Sequence, residues 1–202
     1  MNRLVRISLA LAALGCLAAP ALAADVVLPR PGQVGFSFQG QGGALARSGE
    51  FGQDFGTGGG LAVRMRYRMR FERGLGLSFE RHNFAARNPL PASVDTAAKT
   101  LNLTTASIEI YQMFGTRTRS VRMLSAGLGL VQSSQRLNDG ETKVSGTGVG
   151  DGLLLSAGAG VERFVWQSWA IDLSTRYHAI FHNAKVNHDV QFSAGLVFYA
   201  NY

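Results

Sequence analysis

The stretch LAVRMRYRMRF, residues 61–71, places an arginine at every second position from residue 64 to residue 70, with Met65, Tyr67 and Met69 between them. A period of two is typical of a β-strand, because successive side chains leave opposite faces of the sheet. The stretch therefore predicts a strand with one apolar face and one arginine face. A half-buried strand of a soluble sandwich would show the same alternation, so the rest of the chain has to decide which face meets water.

The N-terminal residues have the pattern of a cleavable secretory signal peptide. Arg3 and Arg6 precede an uncharged apolar run, and a small-residue cleavage site occupies 21–23. We predict a signal peptide over 1–23 and one mature domain over 24–202. The apolar run is shorter than the roughly 20 residues of a membrane-spanning helix. No later uncharged stretch approaches that length, so any membrane role of the mature chain falls to its strands.

Cysteine content and net charge are those of an exported protein. The single cysteine, Cys16, lies in the predicted signal, so we expect no disulfide in the mature protein. Lipidation of Cys16 is the weaker alternative, because the alanine-rich cleavage site downstream is better formed. Loss of the two signal arginines changes the formal net charge from +7 to +5. Export excludes nucleic acid as a partner, and an anionic membrane surface is the natural one.

The mature chain divides into eight alternating segments whose lengths are mostly near, and in several cases above, the roughly 9–11 residues of a membrane-spanning strand. They are 33–42, 59–71, 74–84, 99–114, 120–135, 152–164, 168–182 and 188–200. Long polar connections at 43–58, 85–98 and 136–151 alternate with short ones at 72–74, 115–119 and 165–167. This alternation is typical of an outer-membrane barrel, with long loops outside the cell and short turns in the periplasm.

Aromatic residues collect near the segment ends, where a membrane barrel has girdles at its two lipid interfaces. We call the end of the barrel with the short connections the turn end and the end with the long connections the loop end. The aromatic residues expected in the girdles are Phe71, Phe114, Phe164, Trp166, Trp169, Phe198 and Tyr202 at the turn end, and Phe84 and Phe181 at the loop end.

Two stretches resemble the small eight-stranded outer-membrane barrels of the OmpA transmembrane-domain or OmpX type. GAGVERFVWQSWAIDLSTRYHAIF, residues 158–181, is similar to their Gly-x-Gly-x-Glu strand, aromatic turn and Arg-Tyr strand. VQFSAGLVFYANY, residues 190–202, resembles their C-terminal strand, although its last residues dilute the aromatic alternation. The resemblance implies an all-β fold, an eight-stranded antiparallel up-and-down transmembrane barrel.

The same resemblance implies a localisation and partners. The localisation is the cell outer membrane, where the barrel would contact lipid and lipopolysaccharide. The barrel assembly machinery and periplasmic chaperones would act during biogenesis, and the folded protein would be a monomer. No cofactor is expected.

The arginine face of the opening stretch would point into this barrel, whose interior is just wide enough to be filled by side chains. Unpaired charges there are costly, so acids on other strands should neutralise the arginines. We predict a salt-bridge network that plugs the lumen, made of Arg64, Arg66, Arg68, Glu80, Glu109, Glu162, Asp172 and Arg176. The alternative is a narrow anion-preferring pore lined by the arginines. Arg70, next to a turn, would reach periplasmic water.

Basic residues in or near the long loops are candidates for contact with the phosphates of lipopolysaccharide. They are Arg47, Arg81, Arg87, Lys99, Arg136, Lys143 and Lys185.

The sequence matches known catalytic and metal-binding patterns poorly. Lipid A deacylases carry a His-x-Ser-Asn motif late in the barrel, but no serine stands two places after His178, His182 or His188. The first two histidines could share a face, yet metal sites need three or four ligands. A polar lumen residue and a loop residue are their more natural identities. The glycines of 145–152 do not form a phosphate-binding pattern. We therefore expect no enzyme and no metal site.

Three functions are consistent with these observations. We favour a non-enzymatic integral outer-membrane barrel with a plugged lumen, which displays four surface loops and contributes to envelope integrity or surface interaction. A small passive channel with anion preference comes second. The third is a soluble exported lipocalin-like barrel that holds an apolar ligand, in which the arginines would face outward and the apolar residues inward.

Overall fold

The chain folds into one closed barrel of eight antiparallel strands in sequential order. The computed structural model describes residues 28–70, 72–87, 98–138, 151–182 and 185–200. The strands are β1 (Val34–Leu45), β2 (Phe55–Arg68), β3 (Arg73–Ala86), β4 (Ala98–Phe114), β5 (Ser120–Asn138), β6 (Asp151–Trp166), β7 (Trp169–His182) and β8 (Lys185–Tyr199). The first strand pairs with both the second and the last, which closes the barrel. The predicted eight-stranded up-and-down fold is confirmed, while the predicted signal peptide lies outside the described residues.

The region of the first long connection differs most from the sequence prediction. β1 continues to Leu45, β2 begins at Phe55 rather than at residue 59, and a five-residue helix, α1 (Glu50–Asp54), lies between them. The glycines of 56–60 provide no side-chain alternation, so a strand there leaves no period-two signal in the sequence. Among the described residues, no helix is both long and apolar enough to cross a membrane.

The three longest connections all lie at one end of the barrel, the loop end, and the opposite end is the turn end. The loop end has the connections 46–54, 87–97, 139–150 and 183–184, and the turn end has 69–72, 115–119 and 167–168. The turns at the turn end are tight: Gly115 has a φ of 72°, and Glu72 also lies in the left-handed region with a φ of 58°. The fourth connection of the loop end is only two residues between strand ends, so three of the four are long.

The two faces of the barrel have opposite chemistry. Arg64 and Arg66 of β2 are 1% and 3% exposed, whereas Leu61 and Val63 of the same strand are 71% and 42% exposed. The arginines therefore point into the lumen and the apolar residues point outward. This orientation excludes the soluble lipocalin-like barrel, which requires the reverse.

The lumen is filled in three layers. An outer apolar layer at the loop end consists of Leu45, Phe51, Phe55, Phe84, Leu101, Leu103, Val131, Leu154 and Ile180. An inner apolar layer at the turn end consists of Tyr111, Met113, Val121, Met123, Phe164, Ala170, Val197 and Tyr199, with Leu28 packed against it. Buried polar and charged side chains occupy the space between these layers and extend into the inner one.

The expected aromatic girdles need one correction. Phe84 and Phe164 are 0% and 2% exposed and belong to the apolar layers of the lumen. Trp166, Phe198 and Phe181 do face outward, with exposed fractions of 55%, 39% and 40%. Phe164 lies two residues after Glu162 and therefore shares its inward face, because strand side chains alternate. Phe71 and Tyr202 lie outside the described residues.

Candidate functional site

The candidate site is the set of charged side chains that β2, β3, β4, β6 and β7 direct into the lumen. Each of them stands at an inward-facing position of its strand, so the pleat itself brings it to the inside. All eight residues of the predicted salt-bridge set are buried, with exposed fractions from 0% to 5%. They form three groups of contacts.

The first group joins neighbouring strands near the middle of the barrel. Arg64 on β2 pairs with Glu80 on β3, with 2.7 Å between Nη2 and Oε1. Its Nε also donates to the Ser78 hydroxyl at 3.3 Å, and its Nη1 donates to the side-chain oxygen of Gln39. Ser78 donates in turn to Glu80 at 2.9 Å. The guanidinium is thus held by a carboxylate and by neutral acceptors from both adjoining strands.

The second group crosses the barrel at the turn end. Arg66 pairs with Glu162 of β6 and, at 3.3 Å, with Asp172 of β7. Arg68 reaches the other oxygen of Glu162 at 3.2 Å. Tyr199 donates its hydroxyl to the same carboxylate at 2.8 Å. Since β2 and β6 are separated by three strands in either direction around the barrel, the pairs of Arg66 and Arg68 with Glu162 span its full diameter.

Aromatic rings complete this second group. The Arg66 guanidinium lies 4.5 Å from the centre of the Tyr111 ring, and that of Arg68 lies 4.8 Å from the centre of the Tyr199 ring. A cation over an aromatic face is attracted by the ring quadrupole, and more strongly where water is excluded. Rings of the inner apolar layer therefore stabilise the charges beside them.

The third group joins β7 to β4. Arg176 binds both oxygens of Glu109, with 2.9 Å between Nη2 and Oε2. Tyr111 donates its hydroxyl to Glu109 and accepts a hydrogen bond from Arg176 at 3.2 Å. A two-pronged arrangement of this kind is among the strongest ion-pair geometries in proteins.

A fourth polar group, toward the loop end, is absent from the predicted set. His178 on β7 lies between two carboxylates, 4.0 Å from Glu80 and 3.8 Å from Asp189. Gln191 donates to Asp189 at 2.6 Å. The sequence signal was available, because Asn187, Asp189 and Gln191 stand at alternate positions of β8. His182 is buried in β7 rather than placed in a loop.

No set of three or more His, Cys, Asp or Glu side chains suited to holding a metal ion occurs among the described residues.

The basic residues expected near lipopolysaccharide have different positions. Arg47 and Lys185 are exposed at the loop end, and Arg81 is exposed on the outward face of β3. Arg87 is half-buried and donates to the carbonyl oxygens of Leu45 at 2.6 Å and Gly52 at 2.8 Å, so it braces the first loop. The other three, which the structure does not describe at side-chain level, are Lys99, Arg136 and Lys143.

The sequence matches the family described as outer membrane protein beta-barrel domain over residues 9–198. The chain belongs to this family, and the protein is an outer-membrane β-barrel. Its outward apolar face is accordingly the lipid-facing surface. No curated protein sequence matches the chain.

Solved structures with the same fold are small outer-membrane barrels. Neisserial surface protein A shares 18% identity at a TM-score of 0.53, over 82% of this chain and 96% of that one. The attachment invasion locus protein Ail of Yersinia pestis, solved with the heparin analogue sucrose octasulfate, shares 13% at 0.52, over 84% and 100%. OprG of Pseudomonas aeruginosa shares 13% at 0.54, over 88% and 100%. Identities this low support the shared fold alone.

Proposed function

We propose that the protein is a non-enzymatic, closed outer-membrane barrel that displays its loops at the cell surface and contributes to envelope integrity or surface interaction. We expect it to be a monomer inserted by the barrel assembly machinery with the help of periplasmic chaperones. The observation that supports a closed lumen best is the set of ion pairs from Arg66 and Arg68 to Glu162, which crosses the barrel from β2 to β6.

The burial of these charges distinguishes a lumen filled by ion pairs from a water-filled pore. A pore lined by arginines keeps its guanidinium groups in water, where they can attract passing anions. Here Glu162 is 0% exposed, and Arg66 and Arg68 are 3% exposed. The outer apolar layer, with Phe51 of α1 at the mouth of the barrel, covers the polar middle from the loop end. An ion would have to displace both apolar layers and break the crossing pairs.

Conductance of the purified full-length protein in a planar lipid bilayer tests this proposal. We expect no steady current above that of the protein-free bilayer. A variant in which Arg66, Arg68 and Glu162 are all replaced by alanine loses the crossing pairs but keeps both apolar layers, so it should also pass no steady current. A stable anion-selective current through the unmodified protein would instead support the narrow channel.

Surface display depends on the loop end facing outward. Because the predicted mature chain has no cysteine, single cysteines can report the orientation. Arg47→Cys at the loop end and Thr118→Cys at the turn end are both exposed positions. A membrane-impermeant maleimide added to intact cells should label only the first, and lysis should expose the second. Labelling of position 118 in intact cells would reverse the orientation.

Contact of the loop end with lipopolysaccharide is part of the same proposal. Arg47 and Lys185 are exposed at the loop end and Arg81 on the outward face of β3, from where they could reach phosphate groups of the outer leaflet. Replacing these three residues by glutamine should weaken retention of lipopolysaccharide by the purified barrel. The matched control is Arg70→Gln, Arg117→Gln and Arg119→Gln, which removes the same charge from the turn end and should leave retention unchanged.

A further inference from the structure

Exposed arginines are concentrated at the turn end of the barrel. They are Arg30, Arg70, Arg73, Arg117, Arg119, Arg122 and Arg163. Glu72 is the one exposed carboxylate at this end within the described ranges. This surface is therefore strongly positive, on the side of the membrane opposite to lipopolysaccharide.

Two of these arginines lie side by side on the lipid-facing surface. In the ladder between β5 and β6, Arg122 is opposite Val161 and Arg163 is opposite Ser120. The two arginines are thus diagonal neighbours on the outward face, a separation of about 7–8 Å. Neither forms an ion pair with a carboxylate of the described chain. Adjacent like charges beside lipid are unfavourable unless an anion lies between them.

An apolar groove begins at Arg122. It has a volume of about 790 Å³ and crosses the outward surface from Phe114 and Arg122 to Gly40. Small side chains at Ala159 and Ala194 lie along it, between the larger Leu173 and Phe192. The groove is shallow and open along its length, so an acyl chain in it keeps one side toward the neighbouring lipids. A second groove of about 520 Å³ begins at Arg73 and is lined by Ile110 and Leu124.

The depth of the two arginines matches the headgroup region. Arg163 is three residues before the outward-facing Trp166, and Trp169 follows across the turn, with exposed fractions of 55% and 37% for the two tryptophans. Tryptophans of barrels collect at the level of the lipid headgroups. The grooves extend from this level toward the apolar middle of the membrane, where acyl chains lie.

We propose that this surface binds an anionic phospholipid of the periplasmic leaflet, with its phosphate between Arg122 and Arg163 and an acyl chain in the 790 Å³ groove. The ligand class is a diacyl phospholipid with a net negative headgroup. Arginine suits the phosphate because its planar guanidinium binds two oxygens at once. The inference goes beyond the proposed function, and it holds whether or not the lumen conducts.

A cell-wall polymer would be the other anionic partner at this end. Such a polymer lies in the periplasm, below the membrane, and would meet the arginines of the turns, Arg70, Arg117 and Arg119. Arg122 and Arg163 instead lie on strands, and the apolar groove that begins at Arg122 suits an acyl chain rather than a polar polymer. The observations therefore favour lipid.

Native mass spectrometry of the full-length protein, released from a neutral detergent, can test this by counting retained lipids. The probes are dioleoyl phosphatidylglycerol and dioleoyl phosphatidylcholine, which have the same acyl chains. We expect preferential retention of phosphatidylglycerol. An arginine near an anionic headgroup contributes about fivefold in binding, so Arg122→Gln with Arg163→Gln should reduce that preference about 25-fold. Arg122→Lys with Arg163→Lys should keep much of it.

Two further variants separate headgroup from groove. Arg70→Gln with Arg117→Gln removes two charges from the turns at the same end and should leave the preference unchanged, which controls for net charge. Ala159→Leu should fill the groove and lower retention of both lipids. Heat-dependent gel migration confirms that each variant is folded. Equal retention of the two lipids by the unmodified protein would overturn the proposal. So would an arginine-dependent pull-down of peptidoglycan fragments without lipid preference, which would assign the arginines to the cell wall.

Discussion

The lumen and the lipid-facing surface are built from the same eight strands at alternate positions, yet they follow opposite rules. Inside, Glu162 and Asp172 are 0% exposed and are held by arginines. Outside, Leu155 and Leu173 of the same two strands are 43% and 42% exposed. In a soluble protein the exposed side would be the polar one. The difference shows that the surrounding solvent, here lipid, decides which face of an alternating strand becomes the interior.

The two regions also tolerate change differently. The outer face requires only that side chains be apolar, because lipid tails adapt to their shapes. The lumen requires particular partners at particular distances, because a buried charge without its partner is costly. The following predictions test that difference, from the largest expected effect to the smallest.

Glu162→Gln should have the largest effect. Glu162 accepts hydrogen bonds from Arg66, Arg68 and Tyr199. Removing one partner of a buried ion pair costs about 3–5 kcal/mol, so the midpoint of urea unfolding in lipid vesicles should fall markedly. Glu72→Gln, at an exposed turn, is the matched control and should leave the midpoint unchanged.

The double variant Glu162→Gln with Arg68→Met sharpens this test. Arg66 keeps Asp172 as a partner, whereas Glu162 is the only carboxylate paired with Arg68 among the described residues. Removing the Arg68 charge should therefore restore much of the lost stability. An unchanged midpoint in Glu162→Gln alone would mean that the turn-end charges are solvated, and the plug would be abandoned.

Leu155→Arg tests the outer face. An arginine facing lipid costs about 2–4 kcal/mol at the membrane midplane and less near the interfaces. Leu155→Phe, which changes size without adding charge, should be nearly neutral. The free energy of unfolding from lipid vesicles gives both values. Equal tolerance of Arg and Phe would show that this face does not meet lipid.

Two glycines compare packing on the two faces. A Cβ added at Gly76, on the inward face of β3, would lie 2.7 Å from the Tyr111 ring, whereas one at the outward Gly40 would meet nothing closer than 4.0 Å. Gly76→Ala should therefore destabilise the barrel by about 1–3 kcal/mol, as overpacking does. Gly40→Ala should change the unfolding midpoint little. The reverse order would contradict the view that the lumen is the tightly packed side.

Arg87→Met should have the smallest global effect, because its contacts are confined to the first loop. It removes hydrogen bonds to the carbonyl oxygens of Leu45 and Gly52. We expect faster cleavage of 46–54 by protease, with little change in the unfolding midpoint. Arg47→Met, an exposed arginine of the same loop, should be cleaved at the rate of the unmodified protein.

The sequence predicts the strands and their faces wherever apolar and polar residues alternate without interruption. The alternation of residues 61–71 is enough to place four arginines on one face, and the same rule assigns Glu162 and Asp172 inward. The same rule also places Phe164 inward. The prediction that Phe164 belongs to an aromatic girdle is therefore wrong. The rule gave no signal in the glycines of 56–60, so the start of β2 and helix α1 were not predicted.

The location in the outer membrane is implied by the resemblance to known small barrels. What the sequence by itself determined is the class of fold, the number of strands and the alternation of two faces along each strand. These follow from local periodicity and from the lengths of connections, which each segment carries alone. Only the tertiary structure decided that Arg66 meets both Glu162 and Asp172, or that Arg122 and Arg163 are neighbours at the end of a groove. Such contacts depend on strand register and on closure of the barrel, which join residues that are distant in the chain.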